Sequence, residues 1–136
     1  MKVLLSIRPE FVSKIFDGSK RYEYRRSIFK NQEVSIVIVY ASDPIKRIIG
    51  EFEIEDILHD EPRVLWVKTK NYAGMSEKRF FEYFTNKSKG YAIKVKTTTM
   101  YDDPLPLNSF KVSSPPQSFM YVSQGDRQYE LHRNLV

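Results

Sequence analysis

The run Gly18-Ser19-Lys20-Arg21-Tyr22-Glu23-Tyr24-Arg25-Arg26 gathers the most usable chemistry in the chain. Charged and aromatic residues alternate across residues 21–26, which is the period of a β-strand. On such a strand Arg21, Glu23 and Arg25 project to one side and Tyr22 and Tyr24 to the other. Lys20 precedes the strand in a turn, is not bound by its parity, and can swing toward Glu23 and Arg25. An amine, a carboxylate and a guanidinium then share one small volume. The guanidinium can fork onto phosphate or carboxylate. The carboxylate can accept from the amino group of a base, and a lysine held beside a glutamate can move a proton. The same spacing also fits a plainer arrangement, a solvated strand face whose ion pairs are worth about 0–1 kcal/mol each.

Other candidates carry less. His59 and His132 lack the paired spacing of metal ligands, so turn or surface positions are expected for both. Asp102-Asp103 sits beside Pro104 and reads as a turn. There is no Walker loop, nucleophile elbow or dinucleotide fingerprint, and neither a metal nor a cofactor is expected. Single-stranded RNA is held by stacking on exposed rings beside basic groups. Tyr22, Tyr24, Tyr40, Trp66 and Tyr101 are available, with packing the default for each ring and Trp66 the expected rim residue. Lys78 and Arg79, with Lys87 and Lys89, form either a basic rim or a solvated helix face.

These residues need a scaffold. A strand over residues 3–7 ends at Arg8-Pro9, and Phe11, Val12, Ile15 and Phe16 then follow at helical spacing until Gly18 stops the turn. Residues 34–41 are continuously apolar and β-branched, as in a central strand. Residues 48–58 alternate, with Glu51, Glu53 and Glu55 against Phe52, Ile54 and Ile57, and the slip in parity near Asp56 predicts a bulge or a bend. Residues 63–70 fit either a strand or a helix, with a short helix around Leu65 and Trp66 preferred. A second, capped by Ser76, carries Phe80, Phe81 and Phe84. Residues 90–96 alternate as a strand, 104–112 form a proline-punctuated connector, and 119–122 close the pattern. The expected fold is α+β: a small mixed β-barrel with two or three flanking helices.

With 136 residues, one domain is expected over 1–136, its core at about 3–122 and a polar tail at 123–136. A hydrophobic share of 41% supports a packed core. The absence of cysteine excludes disulfides, thiolate metal sites and a cysteine nucleophile, and suits a reducing compartment. The apolar run at the N-terminus is too short for a signal peptide or a membrane span, so no membrane partner is expected and the expected location is cytoplasmic. A net charge of +5 and a pI near 9.3 favour nucleic acid as a partner, provided the charges cluster. No pattern in the chain fixes an oligomeric state.

The order strand, Arg8-Pro9, helix, Gly18-x-Lys20-x-x-Glu23-x-Arg25 resembles the signature of the ASCH family. The likeness continues through Tyr40-Ala41-Ser42-Asp43-Pro44, Ile49-Gly50-Glu51-Phe52, Tyr91-Ala92-Ile93 and Pro115-Pro116-Gln117-Ser118-Phe119. The resemblance implies a PUA-like pseudo-barrel with a cleft beside the first helix. It also implies RNA as the partner, or a role as a transcription coactivator module. One bacterial branch of similar fold hydrolyses N4-acetylcytidine. Its catalytic lysine corresponds to Lys20 and its threonine to Glu23, while its glutamate falls in Tyr72-Ala73-Gly74, which carries no carboxylate. Another family member is a ribonuclease. The first expectation is therefore a binding domain for RNA or a nucleotide-like ligand, with Arg8, Lys20, Glu23, Arg25 and Arg26 in the cleft. The alternative is a small enzyme on a modified nucleoside or on RNA, with Lys20 and Glu23 catalytic.

Overall fold

The structure is a computed structural model that describes residues 1–110, 115–116 and 119–122. Strand β1 (Lys2–Ile7) runs into α1 (Pro9–Asp17), which begins on a proline and ends on Gly18. Gly18 has φ +87°, a left-handed conformation that glycine adopts without steric cost. Strand β2 (Tyr22–Arg25) follows, then β3 (Ile36–Ala41) and the long β4 (Arg47–Asp60). Helix α2 (Pro62–Thr69) leads through a 3-10 turn, Lys70–Tyr72, to α3 (Glu77–Tyr83). The hydroxyl oxygen of Ser76 accepts the Arg79 N–H at 3.2 Å, as an N-cap should. The chain returns in β5 (Gly90–Leu105), makes a 3-10 turn at Leu107–Phe110, and adds β6 (Met120–Val122).

The strands form one mixed sheet in the order β2-β5-β4-β3-β1-β6. β1 and β3 are parallel, and the other neighbours are antiparallel. The α+β class and mixed sheet are those expected from the sequence. The ladder itself is open, with β2 and β6 at its edges, and no pair among the described residues closes it into a barrel. The β4–β5 register shifts between Ile54 and Asp56, where the sequence parity slips.

Three apolar clusters hold the sheet. One packs α1, through Val12 and Ile15, on β1, β3 and Phe52. A second joins Leu4, Ile38, Ile48, Tyr101 and Phe110. The third sets Tyr24 of β2 against Leu65, Phe80 and Phe84 of the α2–α3 region. The expected connector over 104–112 is shorter than its prolines implied, because β5 runs on through Pro104 to Leu105. Asp102 and Asp103 are accordingly exposed strand residues and not a turn. The polar tail and His132 lie outside the described residues.

Candidate functional site

Three successive carbonyl groups before α3 tie the chemistry-bearing turn in place. The carbonyl oxygen of Tyr72 accepts from the Arg21 N–H at 2.9 Å. That of Ala73 accepts from Lys20 Nζ at 2.7 Å, and that of Gly74 from Lys14 Nζ at 3.0 Å. The lysine stem packs directly on Gly74. A Cβ built there would lie 2.6 Å from Lys20 Cβ.

Lys20 is completely buried. Its ammonium group lies 4.6 Å from the centre of the Tyr24 ring and 5.1 Å from that of Phe11. Burial pulls its pKa down to about 8; the negative charge of Glu23 opposes that shift, and Lys14 and Arg79 add to it. Among the described residues Ala73 is its one hydrogen-bond acceptor, so part of its donor capacity faces aromatic π-density. Tyr24 is anchored in turn. Thr69 gives its own hydroxyl proton to the Leu65 carbonyl at 2.7 Å, so Tyr24 donates to Thr69 across 2.6 Å. Burial raises the Tyr24 phenol to about 12, which keeps it neutral at ordinary pH.

In front of this layer a cavity of about 380 Å³ opens between β2, the head of α1 and α3. Its walls include Phe11, Tyr24, Met75 and Tyr83, and its polar lining includes Ser6, Arg8, Glu23, Arg25, Arg26, Arg79 and Glu82. Glu23 is only 6% exposed, and Arg25 Nη1 donates to its Oε2 at 3.3 Å. The other oxygen, Oε1, has no hydrogen-bond partner among the described residues, and no enclosed side-chain atom of those residues is left unsatisfied. That oxygen therefore faces the cavity. Arg26 Nε donates to the Tyr83 carbonyl at 2.6 Å and its guanidinium lies 4.5 Å from the Tyr83 ring centre. Arg79 is held similarly, 2.8 Å from Glu10 and 4.6 Å from the Phe11 ring centre, and its hydrogen bond holds the Glu10 carboxyl below the usual carboxylate range.

Of the residues singled out in the sequence, Arg8, Glu23, Arg25 and Arg26 line this one cavity. Lys20 does not reach its surface and sits behind Phe11 and Tyr24. Arg21 turns away and stacks over Tyr72 at 4.8 Å. Trp66 is not at the rim; it packs on Phe80 at 5.0 Å, inside the α2–α3 cluster. His59 stacks on Tyr91, and the described residues contain no group of three potential metal ligands. Met75, Glu82 and Tyr83 were not anticipated. Their signal was available, since Glu82 and Tyr83 follow Arg79 by about one helical turn and share its side of α3.

A family model of the ASCH domain matches residues 5–99. The chain belongs to the ASCH domain family. This ASCH chain is 28% identical over 131 residues to the ASCH domain-containing ribonuclease of Zymomonas mobilis, across 93% of this chain and 88% of that protein. The crystal structure of ASCH from Zymomonas mobilis matches it with a TM-score of 0.87 at 26% identity, covering 96% of this chain and 93% of that one. The ASCH chain is also 24% identical over 120 residues to the large ribosomal subunit protein uL22 of Ureaplasma parvum, yet spans only 39% of that relative's length. The N-terminal domain of Staphylothermus marinus McrB shares the fold, with a TM-score of 0.57 at 14% identity. In the Tyr72–Gly74 stretch, which carries no carboxylate, the backbone oxygen of Ala73 is the one hydrogen-bond acceptor for Lys20 among the described residues. No described helix is long and apolar enough to cross a membrane.

Proposed function

We propose that this ASCH domain binds RNA and receives one nucleotide in the cavity between β2, α1 and α3. The carrying observation is the pairing of Glu23 and Arg25 inside an aromatic-walled cavity that Arg8, Arg26 and Arg79 also line. Aromatic walls suit the faces of a base. A nearly buried carboxylate with one unspent oxygen suits an amino group on its edge. The arginines suit the backbone. The test is RNA binding by the wild type and by Arg25→Ala. The wild type binds, and the variant loses most of its affinity. A wild type that binds no RNA pool above an acidic-polymer control at physiological salt rules the reading out.

A second reading is ribonuclease action, favoured by the relative that carries that name and by the amine of Lys20, held near a pKa of 8. In it Glu23 and Lys20 serve proton transfer, with the amine acting through small shifts of the rings that cover it. Incubating RNA with chelator-treated protein distinguishes the two. Cleavage abolished by Lys20→Ala supports the enzyme, and intact RNA across a broad panel supports the binding domain alone.

A further inference from the structure

The cavity does not end at Arg25. A second hollow adjoins it and shares Ser6, Arg8, Arg25, Arg26 and Tyr83 with it. Its remaining lining residues are Ser27, Ser42 and Pro116. The two compartments differ in chemistry. To the shared arginines the inner one adds Arg79, the carboxylates of Glu23 and Glu82, and apolar walls. The outer one has Arg8, Arg25 and Arg26 with three serines, and no carboxylate among its described lining residues.

The fold explains why these groups converge. β1 and β3 are parallel, with Ser6 opposite Tyr40 and Ile7 opposite Ala41, so Ser6 and Ser42 mark the carboxyl ends of neighbouring strands. The backbone N–H of Ser42 donates to the Ile7 carbonyl at 2.9 Å, which fixes that end. Arg8 caps α1 at the same edge through its backbone only, its carbonyl accepting from Phe11 and Val12. Its guanidinium makes no hydrogen bond or ion pair with the described residues, and the side-chain hydroxyls of Ser6 and Ser42 make none either. Arg26 spends Nε on Tyr83 and leaves its two terminal nitrogens unspent. Fork-shaped donors and hydroxyls with no other partner form a ready set of ligands for a tetrahedral oxyanion.

We infer that the outer compartment is a phosphate subsite, in which Arg8, Arg26, Ser6 and Ser42 hold the phosphoryl group of a nucleotide whose base occupies the inner cavity. This inference rests on the nucleotide-binding reading of that cavity. The phosphoryl group is either an internal diester of RNA, with two non-bridging oxygens, or a terminal monoester, with three; both offer tetrahedral anionic oxygens to the same donors.

The experiment is calorimetric titration with the four ribonucleosides, their 5′- and 3′-monophosphates, the matching dinucleotides and RNA. Wild type is compared with Arg8→Ala, Arg8→Lys and Ser42→Ala. The Arg8 side chain touches no described residue through a polar contact, so its removal leaves the fold in place. At least one phosphorylated ligand binds about tenfold or more tightly than its nucleoside, as one charge-assisted contact provides. Arg8→Ala weakens the phosphorylated ligand far more than its nucleoside and so removes most of that advantage, and Arg8→Lys restores part of it. A dinucleotide preference identifies the diester, and a mononucleotide preference identifies the terminal monoester. Where only RNA binds measurably, Arg8→Ala lowers the salt dependence by about one phosphate contact, a slope change of about 0.7. Equal affinity for nucleoside and nucleotide, or an RNA salt dependence that Arg8→Ala leaves unchanged, overturns the subsite while RNA binding stands. Absence of all binding, RNA included, overturns both readings.

Discussion

Lys20 Nζ donates 2.7 Å to the carbonyl oxygen of Ala73, and by that bond a fully buried amine ties the turn before β2 to the approach of α3. Isolated burial of an ammonium group costs several kcal/mol. Burial lowers the Lys20 pKa, the charge of Glu23 opposes that only in part, and Lys14 and Arg79 add to the lowering, so it settles near 8. The two walls of the cavity are therefore joined through a lysine beneath it.

Stability should report this lysine directly. Its folded pKa is about 8, below the 10.5 of the open chain, so between those values the unfolded state binds more protons and stability rises with pH. Compared with Lys20→Met, which carries no charge, the wild type should gain up to about 3 kcal/mol as pH rises from 8 to 10.5. Denaturant titrations of both proteins across that window check it. A difference that stays flat with pH contradicts the buried charge.

Gly74→Ala should be costly. The added methyl meets Lys20 Cβ, Cγ and Cδ at 2.6–2.7 Å, and φ there is +69°. Backbone strain costs about 1–2 kcal/mol, and overpacking adds about 1–3. Chemical denaturation should show a loss of about 2 kcal/mol or more. A loss below about 0.5 kcal/mol, typical of neutral surface changes, contradicts the close packing.

Ser76→Ala should cost about 1 kcal/mol through its lost cap. Because α3 carries Arg79, Glu82 and Tyr83 to the cavity, the same variant should also weaken RNA binding. Thermal melts and binding isotherms on one preparation test both effects. Unchanged stability removes the cap from the account.

Glu23→Gln keeps the shape of the side chain and removes its charge. Arg25 loses its ion pair at 3.3 Å, and Lys20 loses the nearby anion that raises its pKa, so that pKa should fall below about 8. The pH-stability midpoint assigned to Lys20 moves lower in this variant. A midpoint that does not move places Glu23 electrically apart from Lys20.

Much of this was legible in the sequence, and the failures have definite causes. Proline, apolar spacing and glycine bounded α1 because each acts locally. The parity slip at Asp56 marked a real register shift, since side-chain alternation records register directly. Pro104 misled because it sits near the end of β5, where a missing N–H is tolerated. The alternation of residues 51–57 grouped Glu51 with Glu53 and Glu55. Only Glu51 is buried, held by Tyr101 at 2.8 Å and Lys2 at 3.7 Å on other strands. Lys20 is the same case. Its turn gave no sign that carbonyls more than fifty residues onward lie opposite, so sequence reasoning brought it to the cavity surface and folding took it behind. Spacing located the charged strand, and tertiary contacts decided which of its groups face the cavity.

The most direct measurement of the central claim is RNA affinity as a function of salt. The wild type should bind single-stranded RNA with log K falling linearly against log salt, at about 0.7 per phosphate neutralised. Arg26→Ala should reduce that slope by about one contact. Binding no stronger than to an acidic polymer at physiological salt, or a slope that Arg26→Ala leaves unaltered, contradicts an RNA site built on this cavity.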